Sequence, residues 1–275
     1  MSSNTLTQSA QYVLATGEDA VGRLNVLHGI YSPMGRQALL EAGLTEGMRV
    51  ADFGCGTGTM TRMLASMVGP SGSVTGVDVH APQLDQAAEL CGVEDLTNTN
   101  FHNADACKTG LPGNFFDLAY CRFLLLHLPN PEACVREMWR VLKPGGIVVI
   151  EDGDLASAGS VPPTALDAFA DLFGRMGPIR GVDYSISNRL GHLVANAGFS
   201  SMGLKVHQPA ERAGASGLLL KWSVEEAGPA FIQAGLITEA QLKRTLSQMA
   251  NAVVDPNVLA FAPRMSLVWG RKIIS

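Results

Sequence analysis

Apolar and polar positions change period along this chain, and the changes mark its elements. Val50-Ala51-Asp52-Phe53 is a short apolar run that enters a glycine turn at Gly54, Gly56 and Gly58. Met60, Met63, Leu64 and Met67 then recur at the spacing of one helix face, with Gly69 and Pro70 behind as a stop. Ser73-Val74-Thr75-Gly76-Val77 reads as a second strand closing on Asp78. Pro82 suits the first turn of a helix whose buried side is Leu84, Ala87, Ala88 and Cys91. Asn100 to Asn103 reads as a third strand and Phe116 to Tyr120, running on through Cys121-Arg122-Phe123, as a fourth. Asn130 is placed to cap a helix with Pro131 at its first position, burying Val135, Met138, Trp139 and Leu142. Lys143-Pro144-Gly145-Gly146 reads as a turn into a fifth strand, Ile147 to Ile150.

Strands that alternate with helices in this way predict an α/β fold with a parallel, doubly wound sheet. Right-handed crossovers bring the strand C-termini to one edge. Asp52, Asp78, Asp105, Arg122 and Glu151 should therefore converge there from five strands.

The flanks are less regular. Upstream, Leu14, Ala20, Leu24, Leu27, His28 and Tyr31 recur at roughly helical spacing, and Ala38-Leu39-Leu40 begins a second helix face that ends at Gly43. Downstream, Pro162 to Met176 and Tyr184 to Ala197 read as helices, Met202 to His207 as a strand, Ala215 to Asn251 as mostly helical, and Ser266 to Gly270 as a last strand. No internal repeat or low-complexity tract interrupts them.

Composition narrows the class. With 275 residues the chain can bury a substantial core, and 16% charged residues fit a globular protein. The net charge of −5, without a long Lys/Arg run, argues against a nucleic-acid partner. Five cysteines, Cys55, Cys91, Cys107, Cys121 and Cys134, show no C-x-x-C pairing and fit reduced thiols in a cytoplasmic compartment. Met1 to Ala10 has no basic segment followed by an apolar one, so no signal peptide is expected. No uncharged apolar run is long enough to span a membrane.

The chemistry is concentrated at the glycine turn. Its spacing is Gly-x-Gly-x-Gly, not the G-x-G-x-x-G of dinucleotide binding, and Asp52 stands two residues before it. A carboxylate there would repel a pyrophosphate and attract a cation. Asp78, at the end of the next strand, is placed to accept both hydroxyls of a ribose. The pair suggests a cationic, phosphate-free nucleoside, and S-adenosylmethionine is one.

Asp52-x-Gly54-x-Gly56-x-Gly58, then Asp78, then Asn103-Ala104-Asp105-Ala106, then Leu142-Lys143-Pro144-Gly145-Gly146 before a strand, resembles the class I S-adenosylmethionine-dependent methyltransferases. The best match is the small-molecule branch that resembles the ubiquinone and menaquinone methyltransferases. The matching motifs run from about Val50 to Asp152.

The resemblance implies a Rossmann-like seven-stranded sheet closed by a C-terminal antiparallel hairpin. It implies an N-terminal helical lid over 1–44, a cofactor-binding core over 45–155, and substrate-covering helices with the closing strands over 156–275. The cofactor would be S-adenosylmethionine, with S-adenosylhomocysteine as product, and the partner a small-molecule acceptor. Some relatives exchange lid helices between subunits, which leaves a homo-oligomer open. Asp52, Gly54, Cys55, Gly56, Gly58, Asp78, Val79, Gln83, Asp105, Ala106 and Arg122 would meet the cofactor. Asp105 would accept from the adenine amine, or else cap a turn. Tyr12 would lie near the methyl donor, or be a surface aromatic.

Methyl transfer from a sulfonium needs alignment more than activation. A base helps if the acceptor is a hydroxyl or ammonium. Glu151, expected at the mouth of the fifth strand, and His127, after the fourth, are the candidates, with His28, Tyr184 and Trp222 as weaker pocket residues. His127 has packing or capping as its alternative. No catalytic metal is expected, since Tyr120-Cys121-Arg122 ends the fourth strand without an acid and Asp152 with Asp154 is a thin ligand set. Two other readings remain: a nicotinamide-dependent oxidoreductase, and a non-methylating protein that keeps S-adenosylmethionine as a structural or electrostatic element. Whether O, N or C would be methylated is open.

Overall fold

Five parallel strands carry the frame of this computed structural model, which describes residues 21–273. The first described element is helix α1 (Val21–Ala42). The frame then runs β1 (Arg49–Phe53), α2 (Thr59–Val68), β2 (Ser73–Asp78), α3 (Ala81–Val93), β3 (Thr99–Asn103), β4 (Phe116–Arg122), α4 (Pro131–Val141) and β5 (Leu142–Asp154). After it come β6 (Gly159–Val161), α5 (Ala168–Arg180), α6 (Leu190–Asn196), β7 (Phe199–His207), β8 (Ala210–Arg212), α7 (Ala215–Gln233), α8 (Glu239–Val254), β9 (Leu259–Phe261) and β10 (Arg264–Lys272).

The main sheet has seven strands in the order β3-β2-β1-β4-β5-β10-β7. Its order reverses at β1, with β2 on one side and β4 on the other, both parallel to it. β10 lies antiparallel to β5 and β7 antiparallel to β10, which closes the sheet as expected. Alternation along the strands sorts the core into two layers. Val50, Leu118, Tyr120 and Val149 face α1 and α2, against Leu39 and Leu64. Ala51, Phe53, Ala119, Cys121, Val148 and Ile150 face the other way, against α4 and the roof helices through Val135, Met138, Phe173 and Phe231.

Local signals set most element ends. Asn130 Oδ1 accepts the Ala133 N–H at 3.1 Å and caps α4. Thr238 and Gln241 form a capping box at α8. Gly69, with φ 64°, ends α2.

Several elements differ from the periodicity. The two N-terminal helix faces belong to one helix, α1, which runs through Pro33. Proline removes one backbone hydrogen bond, but Tyr31, Ala38 and Leu39 are buried on either side of it, and that packing carries the helix across. Leu14, Tyr12 and Ala20 lie outside the described residues. β5 begins at Leu142, earlier than the period shows, but its pairing with β4 passes from Leu142 directly to Ile147 and Gly145 has a φ of 77°, so the Lys143–Gly146 turn stands as a bulge within the strand. The expected helix from Pro162 starts only at Ala168, after a tight turn over 165–167, and the one from Tyr184 becomes a tight turn over 186–189 followed by α6. Ala88 and Trp139, expected to be buried, are exposed, the indole lying under the Lys272 ammonium. A second sheet, β6-β9-β8, has three-residue strands, too short to leave a period in the sequence.

Candidate functional site

The turn after β1 is built from backbone. The N–H groups of Gly54 and Cys55 both donate to the Val77 carbonyl on β2, at 2.7 and 3.0 Å. Gly54, Gly56 and Gly58 have φ of 69°, 53° and 74°, the left-handed region that side chains rarely adopt. Their surroundings differ. A Cβ on Gly54 would meet Leu124 Cδ1 at 2.8 Å, and one on Gly58 would meet Ala87 Cβ at 2.8 Å. Among the described residues, a Cβ on Gly56 would approach only Gln83 Oε1, at 3.4 Å. Gly54 and Gly58 are thus required by internal packing, while Gly56 leaves the outer face of the turn open. The Cys55 thiol is buried and turned inward, lying 2.8 Å from where a Gly76 Cβ would be. Burial among Asp52 and Asp78 keeps it protonated, so Cys55 offers a ligand its backbone alone.

Asp78 joins this turn to the end of β2. Its Oδ2 accepts the Gly56 N–H and its Oδ1 the His80 N–H, both at 2.9 Å. Beside it Val79 is 70% exposed, and Gln83, on the first turn of α3, is half-buried. Beyond β3, Asp105 Oδ1 accepts the Cys107 N–H at 2.8 Å and so caps its own turn. Its carboxylate is exposed, while Ala106 behind it is buried. The turn role and a ligand role coexist, because one oxygen carries the cap.

Asp52, Arg122 and Glu151 meet on the sheet face covered by α1. Asp52 is 2% exposed and accepts the Thr61 hydroxyl at 2.6 Å. Burial pushes its carboxyl up to about 7 against the pull of that hydroxyl. Glu151 does not stand at a strand mouth. β5 continues three residues past it, and the side chain is fully buried beneath α1, where a Cβ on Gly35 would lie 2.6 Å from Oε1. Tyr120 donates its hydroxyl to Oε1 at 3.1 Å, and among the described residues Oε2 has no hydrogen-bond partner. Burial pushes this carboxyl too up to about 7, with Arg122 opposing. Arg122 turns to α1: its Nη1 donates to Ser32 Oγ at 3.0 Å and its Nη2 lies 3.4 Å from His28 Nδ1. Burial, with Arg122 and Arg62 nearby, lowers the His28 pKa.

His127 sits on the opposite side of the sheet from Glu151. It lies in a tight turn over 125–127, its ring edge-on to Tyr184 at 5.9 Å. Tyr184 in turn accepts from Arg180 Nη1 at 2.6 Å. Burial, with Arg180 and Arg23 nearby, pushes the His127 ring down to about 3. A ring of that basicity packs the roof and is a poor proton acceptor. Trp222 borders a cleft of about 220 Å³ between α1 and α7 with Gly22, Arg23, Glu225 and Glu226. Tyr12 lies outside the described residues.

The remaining acids serve the fold. Asp152 Oδ2 accepts the N–H groups of Leu125 and Leu126 at 2.8 and 3.3 Å. Asp154 holds Ser185, Asn188 and Arg264 at 2.7, 3.2 and 2.7 Å. Four residues of the site were not singled out from sequence: Thr61, Tyr120, Ser32 and Gly35. Thr61 and Tyr120 reach Asp52 and Glu151 only through the sheet and α2. Ser32 carries one readable sign, its spacing of four from His28 on a helix.

Comparison with known proteins follows the same outline. Residues 51–150 match the family model described as a methyltransferase domain. The ubiquinone/menaquinone biosynthesis C-methyltransferase of Pseudomonas paraeruginosa is 34% identical over 143 residues, 52% of this chain and 56% of that protein. An uncharacterized methyltransferase of Schizosaccharomyces pombe is 37% identical over 120 residues, 42% of this chain and 43% of that protein. The chain thus spans about half the length of the curated relatives it matches. Among solved structures, phosphoethanolamine N-methyltransferase 2 of Haemonchus contortus superposes with a TM-score of 0.60 at 17% identity, over 93% of this chain and 58% of that one. The YcgJ protein of Bacillus subtilis gives 0.58 at 20% identity, over 90% and 100%. These two likenesses show the fold. Taken with the glycine turn and the carboxylates around it, the sequence matches make residues 51–150 a class I S-adenosylmethionine-dependent methyltransferase domain, resembling that of the ubiquinone/menaquinone methyltransferases.

Proposed function

We propose that this chain transfers a methyl group from S-adenosylmethionine to a small organic acceptor held between the glycine-turn edge and the roof helices. The observation that carries this reading is the Asp78 carboxylate bonded to Gly56 N–H, beside a backbone face left open where Gly56 has no side chain. That arrangement suits a ribose and disfavours a diphosphate, which also argues against the nicotinamide reading.

The residues present fit the group. Gly54 and Gly56 would bound it, Asp78 would accept from its ribose, Val79 and Gln83 would flank the base, and Asp105 retains an oxygen for the base amine. When bound, the sulfonium supplies a methyl carbon already activated for in-line displacement. The chain's own part is alignment and exclusion of water. α1 covers one sheet face, and the Phe169, Phe173 and Phe231 cluster packs the roof on the other. Neither His127 nor Glu151 offers an exposed base, which favours an acceptor that arrives nucleophilic. The carbon of a quinone precursor, by analogy with the Pseudomonas relative, is the first acceptor to test.

Calorimetry with S-adenosylmethionine and with NAD separates the donor readings. Mass spectrometry of a metabolite panel incubated with methyl-labelled donor identifies the acceptor. Tight NAD binding without S-adenosylmethionine binding overturns the proposal. Donor binding without label transfer to any quinone precursor or other small acceptor supports the non-methylating alternative.

A further inference from the structure

Arg122 and Glu151 are direct neighbours across β4 and β5, on the face covered by α1. Strands so paired lie about 4.8 Å apart, within reach of a guanidinium and a carboxylate. Yet the two side chains do not bond. Arg122 gives its N–H groups to Ser32 and His28 of α1, and the fully buried Glu151 keeps Oε2 without a hydrogen-bond partner among the described residues. The arginine thus has two possible anchors, the helix and the strand, and occupies the helix.

We propose that Glu151 is a positioning residue for Arg122: in its neutral form it leaves the guanidinium on α1 and the helix seated on the sheet, and in its ionised form it draws the guanidinium away and loosens the helix. This goes beyond the proposed function and does not rest on it.

The surroundings suit such an exchange. Burial pushes the Glu151 carboxyl up to about 7, so both forms are accessible near neutrality. The Tyr120 hydroxyl can serve either form. From β1, Asp52 faces the same space, held by Thr61 and also pushed up to about 7. From α1, burial and Arg122 lower the His28 pKa, its Nδ1 lies 2.6 Å from Ser32 Oγ, and the buried Tyr31 phenol donates to the Pro263 carbonyl at 2.7 Å. From α2, Arg62 is paired with Glu94 at 3.1 Å. β10 contributes the apolar Leu267 opposite Glu151. Gly35 lets the helix lie this close, since its absent Cβ would fall 2.6 Å from Oε1. The sign follows from the raised pKa. Seating the helix keeps a proton on Glu151, so the seated form is favoured below about 7 and lost as pH rises through it.

Hydrogen exchange of the backbone amides over 21–42, in the full chain without ligand and corrected for the intrinsic pH dependence, reads this directly. Between pH 6 and 8.5 protection should fall several-fold in the wild type. Glu151→Gln should keep it high and flat, and Asp52→Asn should retain the wild-type fall. Wild-type protection that is flat across pH 7, or a Glu151→Gln profile identical to wild type, overturns the proposal. Should Glu151→Gln fail to fold, Ser32→Ala serves. It removes an acceptor of Arg122 on α1 and should lower protection at pH 6 toward the wild-type level at pH 8.5, whereas unchanged protection overturns the proposal.

Discussion

The carboxylate of Asp78 accepts the Gly56 N–H at 2.9 Å and so binds the end of β2 to the glycine turn that follows β1. One side chain therefore shapes the turn and also faces the open side of it. Its second oxygen fixes the His80 N–H, which sets the start of α3. The C-terminal ends of β1 and β2 are coupled by this acid together with the Val77 carbonyl, which accepts the Gly54 and Cys55 N–H groups.

Replacing Asp78 should for that reason cost more than one ligand contact. Asp78→Ala removes charge-assisted bonds worth about 1.5–3 kcal/mol and should weaken donor binding by about tenfold to a hundredfold in calorimetry. Asp78→Asn, which keeps an acceptor oxygen, should lose less. Unchanged affinity in Asp78→Ala would remove this acid from the site.

The three glycines should separate into two classes. Gly54→Ala and Gly58→Ala place a Cβ 2.8 Å from Leu124 and from Ala87, at left-handed φ, and should lower the melting temperature clearly. Gly56→Ala meets only Gln83 and should cost the backbone strain of about 1–2 kcal/mol, with its larger effect on donor affinity. Equal melting temperatures for all three variants would contradict the packing described above.

Thr61→Val should destabilise the fold by about 1–3 kcal/mol, because it strips the hydroxyl donor from the buried Asp52 carboxylate. The sign with pH is definite. Asp52 already holds its proton more tightly when folded than unfolded, so its contribution is greatest at low pH and lost as pH rises through about 7. Losing the Thr61 bond raises that folded pKa further. The stability deficit of Thr61→Val should therefore be larger at pH 8 than at pH 5 in chemical denaturation, and a pH-independent deficit would show Asp52 un-ionised throughout.

His127, pushed down to about 3, should contribute no limb to a pH–rate profile between pH 5 and 8. His127→Gln should alter acceptor KM more than the shape of that profile. A limb near the ordinary histidine value that vanishes in the variant would restore His127 as a base.

The parallel core was legible because its signals are local. Asn130 before Pro131, Gly69 before Pro70, and apolar runs broken by glycine each state their own element end. For the candidate site, the position of Asp52, Asp78 and Arg122 at the C-terminal ends of β1, β2 and β4 was legible, because strand order alone places them there. The burial of Glu151 is not legible because no local signal marks the end of β5 past Ile150: the strand runs on to Asp154, and the acid is covered by α1. The low basicity of His127 is likewise a tertiary property, set by its burial against Tyr184 and by the nearness of Arg180 and Arg23.

From sequence alone came the alternation of strand and helix, the side-chain-free bend, and the carboxylates that surround it, since these follow from period, glycine and residue type. Tertiary structure decided which way each polar group points. It carried α1 across Pro33, seated Gly35 on Glu151, and sent the Arg122 guanidinium to Ser32 and His28. Those choices depend on contacts between segments about ninety residues or more apart, where burial and available partners set the energy, and no local pattern of residues encodes them.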